Sequence, residues 1–323
     1  MNAKLSHPPR TPTATSDAAQ LARTPLRGRL LENESMAKHV SWRAGGRAAR
    51  AYVPADLDDL QAFLRTLPDG ERVCFVGLGS NLLVRDGGFR GTVVLMHDTH
   101  GKIRLDDDLV FAEAGVASPK VARFAATHGL EGAEFLAGVP GTIGGALAMN
   151  AGCYGSETWQ FVERVDTVDR HGAVRARTAR EFETGYRHVA LKRGTLGADE
   201  WFIGAWFRFA RGDGSRARER IKALLDKRIA TQPLNLPNAG SVFRNPPNDH
   251  AARLVEACGL KGHAIGNARI SEKHANFIVN PGGKASAADI EALIEHARGA
   301  VLKRFGVALV PEVRIIGEAV GAL

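Results

Sequence analysis

The chain has 323 residues, 44% hydrophobic and 24% charged, with a formal net charge of +8. These are ordinary proportions for a soluble globular protein with room for two or three domains and a sizeable core. No apolar run approaches the roughly 20 residues of a membrane span, so membrane insertion is not expected. Cys74, Cys153 and Cys258 are isolated, with neither metal-ligand spacing nor a disulfide framework, so no metal is expected and a reducing cytoplasm is the natural compartment.

Half of the positive excess lies in residues 1–30, where Lys4, Arg10, Arg23, Arg27 and Arg29 face Asp17 alone. This stretch is rich in Pro, Thr, Ser and Ala and reads as a disordered basic tail. Its arginines also resemble a transit peptide, but it lacks an amphipathic face. The remaining charge suits anionic small molecules. With no aromatic-basic interleaving, zinc-finger spacing or basic recognition helix, nucleic acid is not an expected partner.

Ordered structure is expected from about Leu30. Asp56–Leu67 reads as a capped amphipathic helix stopped by Pro68. The strand-like run Arg72–Val76 gives way to Gly77-Leu-Gly-Ser-Asn-Leu-Leu-Val-Arg-Asp-Gly-Gly88. Amides in such a turn can form an anion nest. The Rossmann fingerprint fails, because Leu82 stands where its third glycine belongs. Further strands are expected at Thr92–Met96 and Leu109–Ala112, and Ser118-Pro119 reads as the N-cap and first turn of a helix running to Gly129.

Next comes the most informative stretch, Gly138–Gly155 (GVPGTIGGALAMNAGCYG), with six glycines among small apolar residues. Each glycine costs a helix roughly 1 kcal/mol relative to alanine, which argues against a core helix. A solvated linker would be more polar. What remains is backbone brought close to something bulky, and with the first loop it favours phosphate or pyrophosphate binding.

Downstream, Trp201–Phe209 reads as a strand and Arg211–Ser215 as a linker opening a final domain. A basic helix carrying Ile221, Leu224, Leu225 and Ile229 follows. Ser286-Ala-Ala-Asp289 is a capping box for a helix whose stripe is Ile290, Leu293, Ile294, Ala297, Val301, Leu302 and Phe305, ended by Gly306. Val307–Val310 and Val313–Ile316 read as short strands. Irregular mixing of helices and strands implies an α+β protein with separable domains.

Seven blocks in order then carry a resemblance. They are Trp42-Arg-Ala-Gly-Gly46; Gly77–Asp86; Glu134-Phe-Leu-Ala-Gly-Val-Pro-Gly-Thr-Ile-Gly-Gly145 with Met149-Asn-Ala-Gly152; Tyr186-Arg187; Pro237-Asn-Ala-Gly-Ser-Val-Phe-Arg-Asn-Pro246; His274-Ala-Asn-Phe-Ile-Val-Asn280; and Pro311-Glu-Val-Arg314. Together they span about residues 36 to 317, and in this order the chain resembles the UDP-N-acetylenolpyruvoylglucosamine reductases, flavoenzymes of peptidoglycan synthesis. The resemblance implies a two-lobed FAD domain of the p-cresol methylhydroxylase/vanillyl-alcohol oxidase type plus a C-terminal α+β substrate domain. The expected division is lobe 1 at 31–97, lobe 2 at 98–211 and the substrate domain at 212–323.

The resemblance further implies FAD as cofactor, NADPH as electron donor and a UDP-sugar as substrate; a monomer is expected. FAD would be held by Gly77, Gly79, Ser80, Asn81 and Leu82, and by Gly138, Val139, Pro140, Gly141, Thr142, Gly144, Gly145, Asn150, Ala151 and Gly152. The implied catalytic residues are Arg187 and Glu312 at the substrate carboxylate and Ser241 as proton donor. Tyr186, Asn245 and Arg314 match substrate-side positions, and Lys261, Arg269 and Lys273 are candidates for the UDP diphosphate. Isolated, each would read as a turn residue or surface charge. No tyrosine-bearing insertion fits between Tyr186 and Arg211, so the shorter type with a more open site is expected, and His188-Val189 departs from the usual Arg-His-Ser run. Two other readings are weighed. An oxidase of the same FAD fold would not need the Pro237–Pro246 and Pro311–Arg314 blocks, and a non-catalytic nucleotide-binding module would not keep Arg187, Ser241 and Glu312 together.

Overall fold

The structure, a computed structural model, describes residues 25–97 and 101–321, so most of the expected tail lies outside the described residues. The chain is anchored earlier than Leu30. The Arg27 N–H donates to Asp59 Oδ1 at 2.7 Å, and its guanidinium pairs with Asp56 at 2.5 Å. Strand β1 (Arg29–Ser35) follows at once. The acids of a distant helix terminus supply Arg27 with partners that local sequence does not show.

Lobe 1 is a mixed four-stranded sheet. β1 pairs antiparallel with β2 (Arg47–Val53), which pairs parallel with β5 (Phe89–Leu95), itself parallel to β3 (Val73–Val76). Helix α1 (Leu57–Thr66) covers one face. Asp56 caps it by accepting the Asp59 N–H, as expected from the sequence. Leu60, Phe63 and Leu64 are buried there, each worth roughly 1.5–3 kcal/mol. Val168, Trp201 and Ile203 of lobe 2 join that cluster, so the two lobes share apolar packing.

Lobe 2 is an antiparallel five-stranded sheet. Its order is β9 (Val174–Thr178), β8 (Val162–Asp169), β12 (Glu200–Arg208), β7 (Leu109–Glu113), β6 (Ile103–Asp106). The helix expected from Ser118 is α2 (Ser118–Thr127), but its N-cap is Ala117. Ser118 is already the first helical residue: its N–H donates to the Gly141 carbonyl at 3.0 Å, and its buried hydroxyl has no partner among the described residues, so it caps nothing. The glycine-rich run contains a helix after all, α3 (Ile143–Ala148). It is short, and its two glycines fall in the first turn, so their helix penalty is met only there.

The expected linker at Arg211–Ser215 is not free. Asp213 caps α4 (Gly214–Thr231) by accepting the Ser215 N–H at 2.8 Å, and Gly212 N–H bonds the Gly129 carbonyl. α4 packs on lobe 2, not on the C-terminal domain: Ala217 and Ile221 sit in the same core as Val121, Leu136 and Phe207. An expected boundary before residue 212 therefore cuts through a core. Ile229, read as part of the stripe, is 60% exposed at the helix end.

In the C-terminal region, α5 (Ala251–Ala257) and α6 (Ala287–Phe305) pack over a small sheet of Ala264–Ile265, Ala268–Ile270 and Ile278–Val279. The Ser286/Asp289 capping box forms, and Gly306 closes α6 in the left-handed conformation. Ile290, Leu293, Ile294, Ala297 and Val301 are buried, but Leu302 is 52% exposed and Phe305 36%. At about 100° per residue Leu302 falls a full step off the stripe, and Phe305 is the last residue, with nothing beyond it.

This region locks onto lobe 1. Trp42 and Leu83 belong to its core, and Trp42 Nε1 donates to the Ile278 carbonyl at 2.7 Å. Asp86 accepts the first N–H groups of α6, from Ala287 at 3.0 Å and Ala288 at 2.8 Å, beside an Arg85–Glu291 ion pair at 2.8 Å. Val307–Val310 is not a strand. Pro311 has no N–H to extend a ladder, and one bridge to Phe243 is all that forms. The chain then re-enters lobe 1 as β13 (Arg314–Ile316), parallel to β4 (Leu82–Val84) with Arg314 opposite Leu82.

Candidate active site

A cavity of about 990 Å³ runs between the lobes to the C-terminal region. Every sequence-predicted cofactor residue except Asn150 lines it, as do Arg187, Ser241, Glu312 and Arg314. The two glycine loops meet at its wall. A Cβ on Gly77 would lie 2.3 Å from Thr142 Oγ1, and one on Gly141 (φ +105°) would lie 2.6 Å from Ser80 Oγ. Ser80 Oγ also donates to the Pro140 carbonyl at 3.1 Å. These glycines are needed for loop-on-loop contact, which is not the reason inferred from sequence. Gly145 differs: a Cβ there meets nothing within 4 Å and would enter the cavity.

At one end, Arg187 is the second residue of the two-residue turn joining β10 (Phe182–Gly185) to β11 (His188–Leu191). Its backbone is left-handed, φ 54°, a conformation costing a non-glycine residue roughly 1–2 kcal/mol. Contacts hold it there. Nε donates to Glu312 Oε1 at 2.8 Å, Nη2 to the Gly152 carbonyl at 2.7 Å and Nη1 to the Asn150 carbonyl at 3.3 Å.

Glu312 and Ser241 come together through backbone pairing. The Glu312 N–H donates to the Val242 carbonyl at 2.7 Å, next to Ser241. Val242 N–H in turn bonds the Asn276 carbonyl at 2.9 Å, and Asn276 Nδ2 the Phe243 carbonyl at 2.8 Å. Among the described residues no group hydrogen-bonds the Ser241 hydroxyl, which is half-buried at the cavity wall. Burial pushes the Glu312 pKa above the ordinary carboxylate value; the charge and hydrogen bond of Arg187, and then the charge of Arg244, pull it back only in part.

The remaining expected residues are elsewhere. Asn150 is buried, and its side chain is spent on Glu157, Gly185 and Trp159 rather than on the cavity. Tyr186 is exposed, with its hydroxyl 3.4 Å from the Asn245 N–H; Asn245 Oδ1 accepts the Ala251 N–H at 3.1 Å. Neither lines the cavity. Lys261 pairs with Glu256 at 2.7 Å, Lys273 Nζ donates to the Ile229 carbonyl at 2.6 Å, and Arg269 is exposed on its strand. Arg314 stands with the first glycine loop, its N–H bonding the Asn81 carbonyl at 3.0 Å.

Two features escaped the sequence reading. Arg228 lines the cavity from α4, seven residues after Ile221, so an arginine at stripe spacing was the available signal. Burial lowers its pKa; its Nε donates to Gln232 Oε1 at 2.9 Å, and among the described residues no carboxylate pairs with it. Trp201 also lines the cavity, stacked on Phe75 at 4.7 Å, and its buried indole N–H has no partner among the described residues.

These features fit FAD. The cavity offers two arginines without ion-pair partners among the described residues (Arg228 and Arg314), glycine-loop backbone and aromatic surface, which suit a pyrophosphate flanked by ring systems. Cys74 and Cys153 also line it, but burial pushes both thiols up to about 11, so neither is a thiolate nucleophile at neutral pH.

Comparison with known proteins agrees with this geometry. Residues 48–177 match the family model described as FAD binding domain, and residues 232–316 that of the UDP-N-acetylenolpyruvoylglucosamine reductase C-terminal domain. The second match begins where α4 ends, consistent with α4 belonging to lobe 2. The UDP-N-acetylenolpyruvoylglucosamine reductase of Thiobacillus denitrificans is 62% identical over 307 residues, covering 91% of this chain and 94% of that protein. That of Nitrosospira multiformis is 57% identical over 312 residues, covering 90% of each. A crystal structure of the Thermus caldophilus reductase matches with a TM-score of 0.74 at 28% identity, covering 90% of this chain and 98% of that one. Among the described residues no helix is long and apolar enough to cross a membrane. With an FAD domain, a reductase C-terminal domain and relatives this similar over nearly its whole length, the chain belongs to the UDP-N-acetylenolpyruvoylglucosamine reductase family, FAD-dependent oxidoreductases of peptidoglycan synthesis.

Proposed function

We propose that this chain reduces the enolpyruvyl group of UDP-N-acetylenolpyruvoylglucosamine to the lactyl group of UDP-N-acetylmuramate, with NADPH as electron donor. Bound FAD would supply the hydride chemistry, accepting hydride from NADPH and delivering it from N5 to the terminal carbon of the enolpyruvyl double bond. The protein's part follows from the electronics of an enol ether. Such a double bond is electron-rich and accepts hydride only if negative charge can spread into the adjacent carboxylate.

Arg187 would take that carboxylate as an always-charged donor fork. Glu312, protonated because it is buried beside a second carboxylate, would donate a hydrogen bond to it. Ser241, whose hydroxyl has no hydrogen-bond partner among the described residues, would pass its proton to the carbon that becomes the stereocentre. Tyr186 and Asn245, adjacent and outside the cavity wall, would contact the sugar nucleotide. The observation that carries this reading is the 2.8 Å Arg187–Glu312 pair on the same cavity wall as Ser241.

The test is anaerobic. NADPH should bleach the yellow holoprotein, and UDP-N-acetylenolpyruvoylglucosamine should then restore the oxidised spectrum. A reduced protein that the sugar nucleotide leaves bleached would refute the assignment.

A further inference from the structure

Asn150 is the one expected cofactor residue that turns away from the cavity, and its contacts show where it turns. It is 3% exposed, with a left-handed backbone at φ 41°. Its Nδ2 donates to the Gly185 carbonyl at 3.0 Å, fixing the residue that begins the Arg187 turn. The same nitrogen donates to Glu157 Oε2 at 2.9 Å, and Oδ1 accepts the Trp159 N–H at 3.0 Å. Both amide hydrogens are used and the carbonyl is occupied, which leaves little for a ligand. The Asn150 main-chain carbonyl receives Arg187 Nη1 at 3.3 Å.

Glu157 completes the cradle. Its other oxygen, Oε1, lies 3.9 Å from Arg187 Nη1. Its backbone pairs with Gly152, whose carbonyl accepts Arg187 Nη2 at 2.7 Å. Contacts on both ends of the guanidinium therefore trace to residues 150–157. We propose that Asn150 and Glu157 are positioning residues that set where the Arg187 guanidinium meets a substrate carboxylate. The inference rests on the reading above that Arg187 receives that group.

The residue types suit the task. Asparagine tolerates the left-handed backbone and supplies donor and acceptor at once; aspartate would lose the donor and place a second anion against the Gly185 carbonyl. Glu157 serves a second purpose. It sets a carboxylate 3.9 Å from Arg187 on a segment other than that of Glu312, so the guanidinium is opposed from two elements.

The test uses holoprotein carrying Asn150→Gly, which keeps the backbone conformation, Glu157→Gln, which keeps an acceptor but removes the charge, Arg187→Ala, and the doubles with Arg187→Ala. FAD content, the rate of NADPH reduction, the rate of reoxidation by the sugar nucleotide and its Kd by calorimetry are measured. Asn150→Gly should slow reoxidation by about 10- to 100-fold, as expected for a misplaced binding group, and weaken sugar-nucleotide binding. FAD content and NADPH reduction should stay within about twofold in the same variant. Each double should be no slower than Arg187→Ala alone, since both residues act through that arginine.

Loss of FAD, equal slowing of both half-reactions, or additive doubles would overturn the proposal. Should Asn150→Gly fail to fold, Glu157→Gln and its double decide by the same criteria. An Arg187→Ala protein that reoxidises normally would refute the assignment of Arg187 itself. A slow Arg187→Ala beside normal Asn150→Gly and Glu157→Gln would refute the positioning role alone.

Discussion

Arg187 and Glu312 lie 125 positions apart in the chain, yet Nε of one donates to Oε1 of the other at 2.8 Å. One comes from a strained hairpin turn of lobe 2, the other from the segment that carries the C-terminal region back into lobe 1. The pair therefore bridges the two halves of the cavity.

This arrangement has a pH signature. Burial raises the Glu312 pKa, so the folded chain holds a proton that the unfolded chain releases. Its contribution to stability is full below the ordinary carboxylate pKa and is lost as pH rises through the raised value. Glu312→Gln removes that dependence. In urea unfolding from about pH 4 to 8, the variant should gain stability relative to wild type as pH rises. A variant that instead loses stability relative to wild type as pH rises would show that the Arg187 ion pair, not burial, governs this carboxyl.

Two glycines, one from each glycine loop, should fail differently. Gly145→Leu puts a side chain into the cavity, where a Cβ meets nothing within 4 Å. Its apoprotein should unfold at the same midpoint as wild-type apoprotein, but the purified protein should retain at most about a tenth of its FAD. Gly77→Ala drives a Cβ against Thr142 at 2.3 Å and should lower stability by about 1–3 kcal/mol. Calorimetry with flavin absorbance separates the two; a stable Gly77→Ala protein would contradict the loop-on-loop account.

Trp201 supplies a reporter. Its ring lines the cavity, stacked on Phe75 at 4.7 Å, so adding FAD to apoprotein should quench tryptophan emission. Trp201→Phe should abolish most of that quenching while leaving the FAD Kd within about tenfold, since phenylalanine keeps an aromatic face at the wall. Unaltered quenching in the variant would place the cofactor away from this indole.

The sequence announces its local grammar well. The Asp56 cap, the Ser286/Asp289 capping box and the Gly306 terminus depend on neighbours a few residues away, and each forms. Partners supplied from afar are invisible at that level. Asp86 caps a helix that begins 201 positions later, Arg27 finds acids at α1, and α4 packs backward onto lobe 2. The site shows the same division. Order of motifs pointed to Arg187, Ser241 and Glu312, and the fold gathers them on one wall. Side-chain chemistry alone could not tell that Asn150 serves a turn, that Lys261 is paired off, or that Arg228 lies on a buried stripe.

The proton-donor role proposed for Ser241 is central, and Ser241→Ala in anaerobic stopped flow tests it most directly. Reduction by NADPH should remain within about twofold of wild type, while reoxidation by the sugar nucleotide slows by about 10²- to 10⁴-fold. Reoxidation at the wild-type rate, or an equal slowing of both steps, would contradict it.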